Sequence, residues 1–130
     1  MPAILRSPDK TLTLSERDEL IQTGGYTHEL FQVTDSNPTP PFPGEALLLF
    51  AGGLVEQTAG LPDGIIAMVE VTLVTFPAMA IPPVTVRVEM TIDDPIPTPS
   101  GTKVIWPMHW VMCSDEATYL TADVKMLGSR

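Results

Sequence analysis

The chain is poor in the residue types on which most site chemistry is built. It holds one cysteine and two histidines in 130 residues. A single cysteine, Cys113, forms no internal disulfide, and this points to a reducing cytoplasm. His28 and His109 lie far from each other in sequence, without the close spacing of a structural zinc site. Positive charge is scarce as well: 7 Lys and Arg stand against 16 Asp and Glu, for a net charge of −9. Nucleic acids and anionic membranes both need clustered basic residues, so neither is expected as a partner. The longest apolar run, ALLLFAGGLV at 46–55, falls well short of the roughly 20 residues that span a bilayer. The N-terminal MPAILRSPDK lacks the apolar stretch and small-residue cleavage site of a secretory leader.

What is present is enough apolar residue for one core. Hydrophobic residues make up 44% of the chain and charged residues 18%, a globular composition that fits a single domain over 1–130. Residues 1–14 read as an extended lead-in with a weak strand signal in TLTL. SERDELIQTGG then reads as a short helix, with Ser15 as cap, Asp18 three residues on as in a capping box, Leu20 and Ile21 as its apolar side, and Gly24 as its stop. Residues 26–43 read as loop, because SNPTPPFPG packs prolines too densely for a helix interior or a central strand.

From Gly44 the pattern changes. EALLLFAGGLVEQTAG has no proline and is apolar on nearly all sides, which predicts a buried helix closed by Gly60 and LPDG. Glu45 in the first turn suits the positive end of the helix dipole. Gly52-Gly53 in mid-helix costs roughly 1 kcal/mol per glycine against alanine, so a close approach by the sheet or by a ligand is expected there. After Gly64 the period becomes two. Strands are expected at 65–76, 84–92, 102–113 and 117–127. Pro107 marks a bulge or edge position, SDEA a hairpin turn, and DDPIPTPSG a longer polar loop.

A buried helix followed by consecutive antiparallel strands is α+β. An apolar helix must be covered on most sides, and a strongly curved sheet wrapped around it does so. That layout is the hotdog fold, in one domain.

With that layout the chain resembles the MaoC-like branch of the hotdog superfamily. TGGYTHELF is similar to a hydratase segment in which T-G-D is followed a few residues later by N-P-x-H. PFPGEALLLFAGGL is similar to the P-I-x-H-G segment that opens the central helix. VEVTLVTFPAMAIPPVTVRVEM is similar to the strand, F-x-x-P-V, strand unit that follows. Together these cover most of residues 15–92. The resemblance implies reversible hydration of a trans-2-enoyl thioester to the (R)-3-hydroxyacyl thioester, a lyase reaction. It implies no metal or redox cofactor, with CoA or an acyl carrier forming part of the substrate. In that family an Asp and a His hold the water, and a glycine N–H at the helix start stabilises the enolate-like oxygen.

This chain departs from the pattern at the chemistry. Gly25 stands where the family has Asp, the Asn-Pro before the histidine is missing, and Pro43-Gly44 replaces His-Gly. The resemblance carries over His28 as base and Gly44 as oxyanion donor, and leaves the acid partner open. Glu56 is one candidate, as a carboxylate on the buried helix whose pKa desolvation would raise. Asp35 is the other, as a carboxylate able to orient His28. Tyr26, Gly25, Phe42, Gly52 and Gly53 are the candidate substrate-binding residues. His109 reads as a sheet-face histidine and Cys113 as inert. The Met and Trp residues of 106–112 read as core and acyl-pocket lining. Two rivals stand beside hydration: an acyl thioesterase in which Glu56 activates water, and a non-catalytic acyl-binding subunit of a heterodimer. For the hydratase reading at least a homodimer is expected, with the active site at the interface.

Overall fold

The computed structural model describes residues 2–129. Seven strands form one antiparallel sheet: β1 (Ala3–Arg6), β2 (Lys10–Leu12), β3 (Ile65–Thr75), β4 (Val84–Ile92), β5 (Ile96–Pro97), β6 (Lys103–Cys113) and β7 (Thr118–Ser129). The main order is β1-β4-β6-β7-β3, with β2 also on β4 and β5 on β6. Two helices accompany it, α1 (Leu14–Gly24) and α2 (Gly44–Glu56). The architecture is the α+β hotdog layout expected from the pattern.

The period-two pattern explains the centre of the sheet. In β4, Val86, Val88, Met90 and Ile92 are buried while the residues between them are not. Met108, Trp110 and Met112 of β6 and Leu120, Ala122 and Val124 of β7 point the same way. Leu47, Ala51, Leu54 and Val55 of α2 join them in a single core. Each large apolar side chain buried there contributes roughly 1.5–3 kcal/mol. The 106–112 methionines and Trp110 are therefore core, and His109 sits on the opposite, outer face beside Asp123, with its Nδ1 at 2.7 Å from the carboxylate.

Several boundaries differ from expectation for identifiable reasons. The lead-in forms two strands along one edge of β4, not one weak strand at TLTL. Pro8 interrupts them, and Ser7 bridges the break. Its N–H donates to the Val88 carbonyl at 2.8 Å, and its hydroxyl accepts from the Val88 N–H at 2.8 Å. Part of the loop at 93–101 is strand β5, paired with β6. Pro107 lies inside β6, which has neighbours on both sides. Its carbonyl accepts from Asp93 N–H at 2.9 Å, so its ring nitrogen faces the side on which β4 ends, where no donor is needed.

The larger correction concerns α2. Its apolar residues do not all go inward. The sheet covers one face, while Glu45, Leu49 and Glu56 are exposed, Leu49 at 68%. Gly52 and Gly53 belong to this open side: a Cβ on either would meet nothing within 4 Å. The expected close approach at the two glycines is absent within the chain. The helix also ends at Glu56, four residues before Gly60.

Candidate active site

The residues singled out in the sequence lie in two regions, the loop after α1 and the two ends of α2. The start of α1 is set by Thr13, not Ser15. The Thr13 hydroxyl accepts from Glu16 N–H, and the Glu16 carboxylate accepts from Thr13 N–H, both at 3.1 Å. Lys10 adds a 2.9 Å ion pair to the same carboxylate, and this bond holds the Glu16 carboxyl below its ordinary value.

The end of α1 fixes the conformation at Gly25. Gly24 is still helical, and Gly25 is the left-handed residue that closes the helix, at φ 74°. Gly25 N–H donates to Gln22 O at 3.3 Å and Tyr26 N–H to Ile21 O at 3.1 Å, the paired bonds of a Schellman closure. A side chain at Gly25 would carry the strain of that conformation. Gly25 is exposed and is not among the residues that line the cleft described below.

Tyr26 follows and is held from several directions. Its ring packs against Gly24, where a Cβ would lie 2.8 Å from it. Phe31 meets it edge-on at 5.5 Å. Gln32 Nε2 donates to its carbonyl at 2.9 Å. The loop is pinned from below by Arg17, whose buried guanidinium donates to Phe31 O at 2.8 Å. The Tyr26 hydroxyl donates to the Glu45 carboxylate in the first turn of α2. That bond holds the Tyr26 hydroxyl above its ordinary pKa.

His28 is placed differently from expectation. It caps the short 3-10 turn Glu29–Phe31, with Nδ1 accepting from Leu30 N–H at 3.1 Å. A neutral imidazole that accepts at Nδ1 carries its proton on Nε2. The outward nitrogen is then a donor, the wrong tautomer for a general base. His28 is exposed and does not line the cleft. Asp35 is also exposed, in the turn closed by the Thr34–Asn37 bridge, and no hydrogen bond or ion pair joins it to His28.

The start of α2 is left without a side-chain cap: Pro43 precedes it and, among the described residues, no side chain accepts from the first N–H groups of the helix. Gly44 is the first helical residue, and the Phe76 ring lies so close that a Cβ on Gly44 would stand 2.8 Å from it. Phe42 is buried in the core, stacked edge-on with Phe50 at 5.8 Å, and holds the cleft wall from behind instead of forming it. Between α1 and α2 lies a cleft of about 560 Å³, lined by Leu20, Tyr26, Glu45, Ala46, Leu49 and Phe50 among others. Lys10 sits over the Phe50 ring at 5.6 Å.

Glu56 is the last residue of α2 and is exposed, so the expected desolvation does not occur. The helix carries it about 18 Å along the axis from Gly44, at roughly 1.5 Å per residue. It lines a separate cavity of about 470 Å³ with Gly52 and Leu61. Of the predicted residues, Tyr26 lines the cleft between the helices, with Gly44 adjoining its lining residue Glu45, while Gly52 and Glu56 share the second cavity. In the sequence Glu45 read only as a residue suited to the dipole.

No protein-family model and no curated protein sequence matches the chain. Solved structures do. A monoamine oxidase regulatory protein from Archaeoglobus superposes with TM-score 0.82 at 15% identity, over 100% of this chain and 90% of its own. A MaoC-like dehydratase from Rhodospirillum rubrum gives TM-score 0.81 at 14% identity, over 100% and 92%. The HadBC (3R-hydroxyacyl-ACP dehydratase) complex from Mycobacterium tuberculosis gives 0.77 at 13%, over 98% and 96%. At these identities the likeness establishes the fold, and the fold is the hotdog fold as MaoC-like dehydratases have it.

Proposed function

We propose that this hotdog chain is a MaoC-like protein that binds an acyl thioester, linked to CoA or to an acyl carrier, for hydration or dehydration of an enoyl/3-hydroxyacyl pair. The acyl chain lies in the cleft between α1 and α2, and the thioester oxygen lies at the Gly44 N–H. One observation carries the reading: the first turn of α2, which has no side-chain cap, lines with Glu45 and Ala46 a cleft of about 560 Å³ whose exposed surface is mainly apolar. Helix N–H groups favour a developing enolate oxygen, and the apolar wall takes the chain. The fold relatives support the reaction class, since one of them is by its name a 3R-hydroxyacyl-ACP dehydratase.

Self-association belongs to the same proposal. Among the described residues β3 pairs with β7 alone and its other edge is free, while Ile66, Val69 and Leu73 are exposed on it. Such an edge favours a second hotdog chain, here a homodimer. Among the described residues no helix is long and apolar enough to cross a membrane. The proposed location is the cytoplasm, in keeping with the lone buried Cys113.

A second reading is favoured by His28, whose outward nitrogen carries the proton: an acyl-binding chain that completes a heterodimer with a catalytic partner. Calorimetric titration with a saturated acyl-CoA tests the shared premise. Binding is expected, and Leu49→Asp on the exposed cleft wall should weaken it about ten- to a hundredfold, the worth of one apolar side chain. Absence of binding, or equal affinity in the variant, would remove the cleft as the site. Loss of enoyl-CoA absorbance by the pure homodimer then separates the two readings.

A further inference from the structure

The Tyr26–Glu45 pair stands in the cleft with no structural duty that requires it. Gly25 already closes α1 through backbone bonds, and Tyr26 is seated by Gly24, Phe31 and Gln32 without its hydroxyl. Yet the hydroxyl reaches across to another element and donates to Glu45, and both residues line the same cleft. Glu45 adjoins Gly44, the residue whose N–H would meet the thioester oxygen. A carboxylate and the phenol it accepts from, beside a helix N-terminus and a cleft with an apolar wall, are the parts that addition of water to a conjugated thioester needs.

We infer that Tyr26 and Glu45 are the acid–base pair of this cleft and supply the proton chemistry that His28 does not. The inference rests on the acyl-thioester reading above. In the hydration direction, the Glu45 carboxylate takes one proton from a water, whose oxygen forms the new bond to C3. The C2–C3 π electrons move to C2 and the thioester carbonyl, giving an enolate oxygen at the Gly44 N–H. Tyr26 gives its hydroxyl proton to C2, and the electron pair returns from oxygen to form the new C–H bond. The tyrosinate then recovers a proton from the Glu45 carboxyl through the hydrogen bond they share. One water has been added, and both side chains are as they began. Dehydration runs the same steps backwards.

The test uses the purified chain, crotonyl-CoA as substrate and saturated butyryl-CoA as an inert ligand. Wild-type protein is expected to bind butyryl-CoA and to consume the enoyl absorbance. Tyr26→Phe and Glu45→Gln should each lower kcat about a hundredfold or more, while melting normally and binding butyryl-CoA as wild type does. His28→Ala should leave kcat unchanged. The inference is overturned if wild type binds butyryl-CoA but has no turnover, if turnover survives both substitutions, or if it vanishes with His28→Ala. Failure to bind butyryl-CoA at all would overturn the thioester reading itself, and the inference with it.

Discussion

Replacing Arg17 by methionine removes a cation from beneath the loop that carries Tyr26. The Arg17 side chain is 2% exposed. One guanidinium nitrogen donates to Phe31 O at 2.8 Å, and another meets Asp18 at 2.7 Å. A hydrogen bond from a charged donor contributes about 1.5–3 kcal/mol, and a half-exposed ion pair such as Arg17–Asp18 at most about 1 kcal/mol. Against this, Nε is buried without a partner, and its removal returns roughly 1–3 kcal/mol of desolvation cost. Methionine keeps most of the buried alkyl volume. The balance is a net loss near 1 kcal/mol, which for a domain of this size lowers the melting midpoint by roughly 3–5 °C. Lysine should rescue less than half of it, because an ammonium cannot reproduce the two-directional fork. Amide exchange should rise selectively over residues 26–32. A midpoint within about 1 °C of wild type, or exchange that rises evenly across the sheet, would refute the argument that Arg17 holds this loop.

Other consequences follow from single contacts. Gly44→Ala places a Cβ against the half-exposed Phe76 ring. The ring should swing away, leaving a folded protein that binds acyl-CoA about tenfold or more weakly, and unchanged binding would argue against a ligand at Gly44. Glu16 is held below its ordinary value of 4.5 by Lys10. A lowered carboxylate contributes stability above that value and loses it as pH falls through the lowered one, so Glu16→Gln should flatten the acid limb of the stability curve. Leu73 is left-handed at φ 51° and 76% exposed. Leu73→Asn should leave monomer stability equal or raised by about 1 kcal/mol, while sedimentation shows weaker self-association. Cys113 is buried and its thiol pKa is pushed up, first by burial and then by Glu89, so iodoacetamide should label it near neutral pH only after unfolding.

The sheet was readable because its signal is local. The alternation over 84–92 fixes which residues of β4 face the core without knowledge of any other strand. The buried side of α2 depends instead on how far the sheet curls, a long-range property, and its composition hid the open stripe through Leu49, Gly52 and Gly53. The burial of Arg17 is explained only by the returning chain at Phe31, whose carbonyl accepts from its guanidinium. The departure at Gly25 was visible, but the left-handed closure it makes is revealed by backbone dihedrals alone. Glu45 and Tyr26 are 19 residues apart, and no spacing rule joins a helix's first turn to a loop before it. His28 had the right residue type, and a single bond from Leu30 N–H assigns it the wrong tautomer.

Backbone amide chemical shifts, followed while saturated butyryl-CoA is added to the purified chain, test the central claim most directly. The account predicts saturable shifts at Gly44 and Glu45, joined by Tyr26 and Leu49, with the far end of α2 near Glu56 unmoved. Shifts confined to the Glu56 end, or none at Gly44 at saturating ligand, would contradict it.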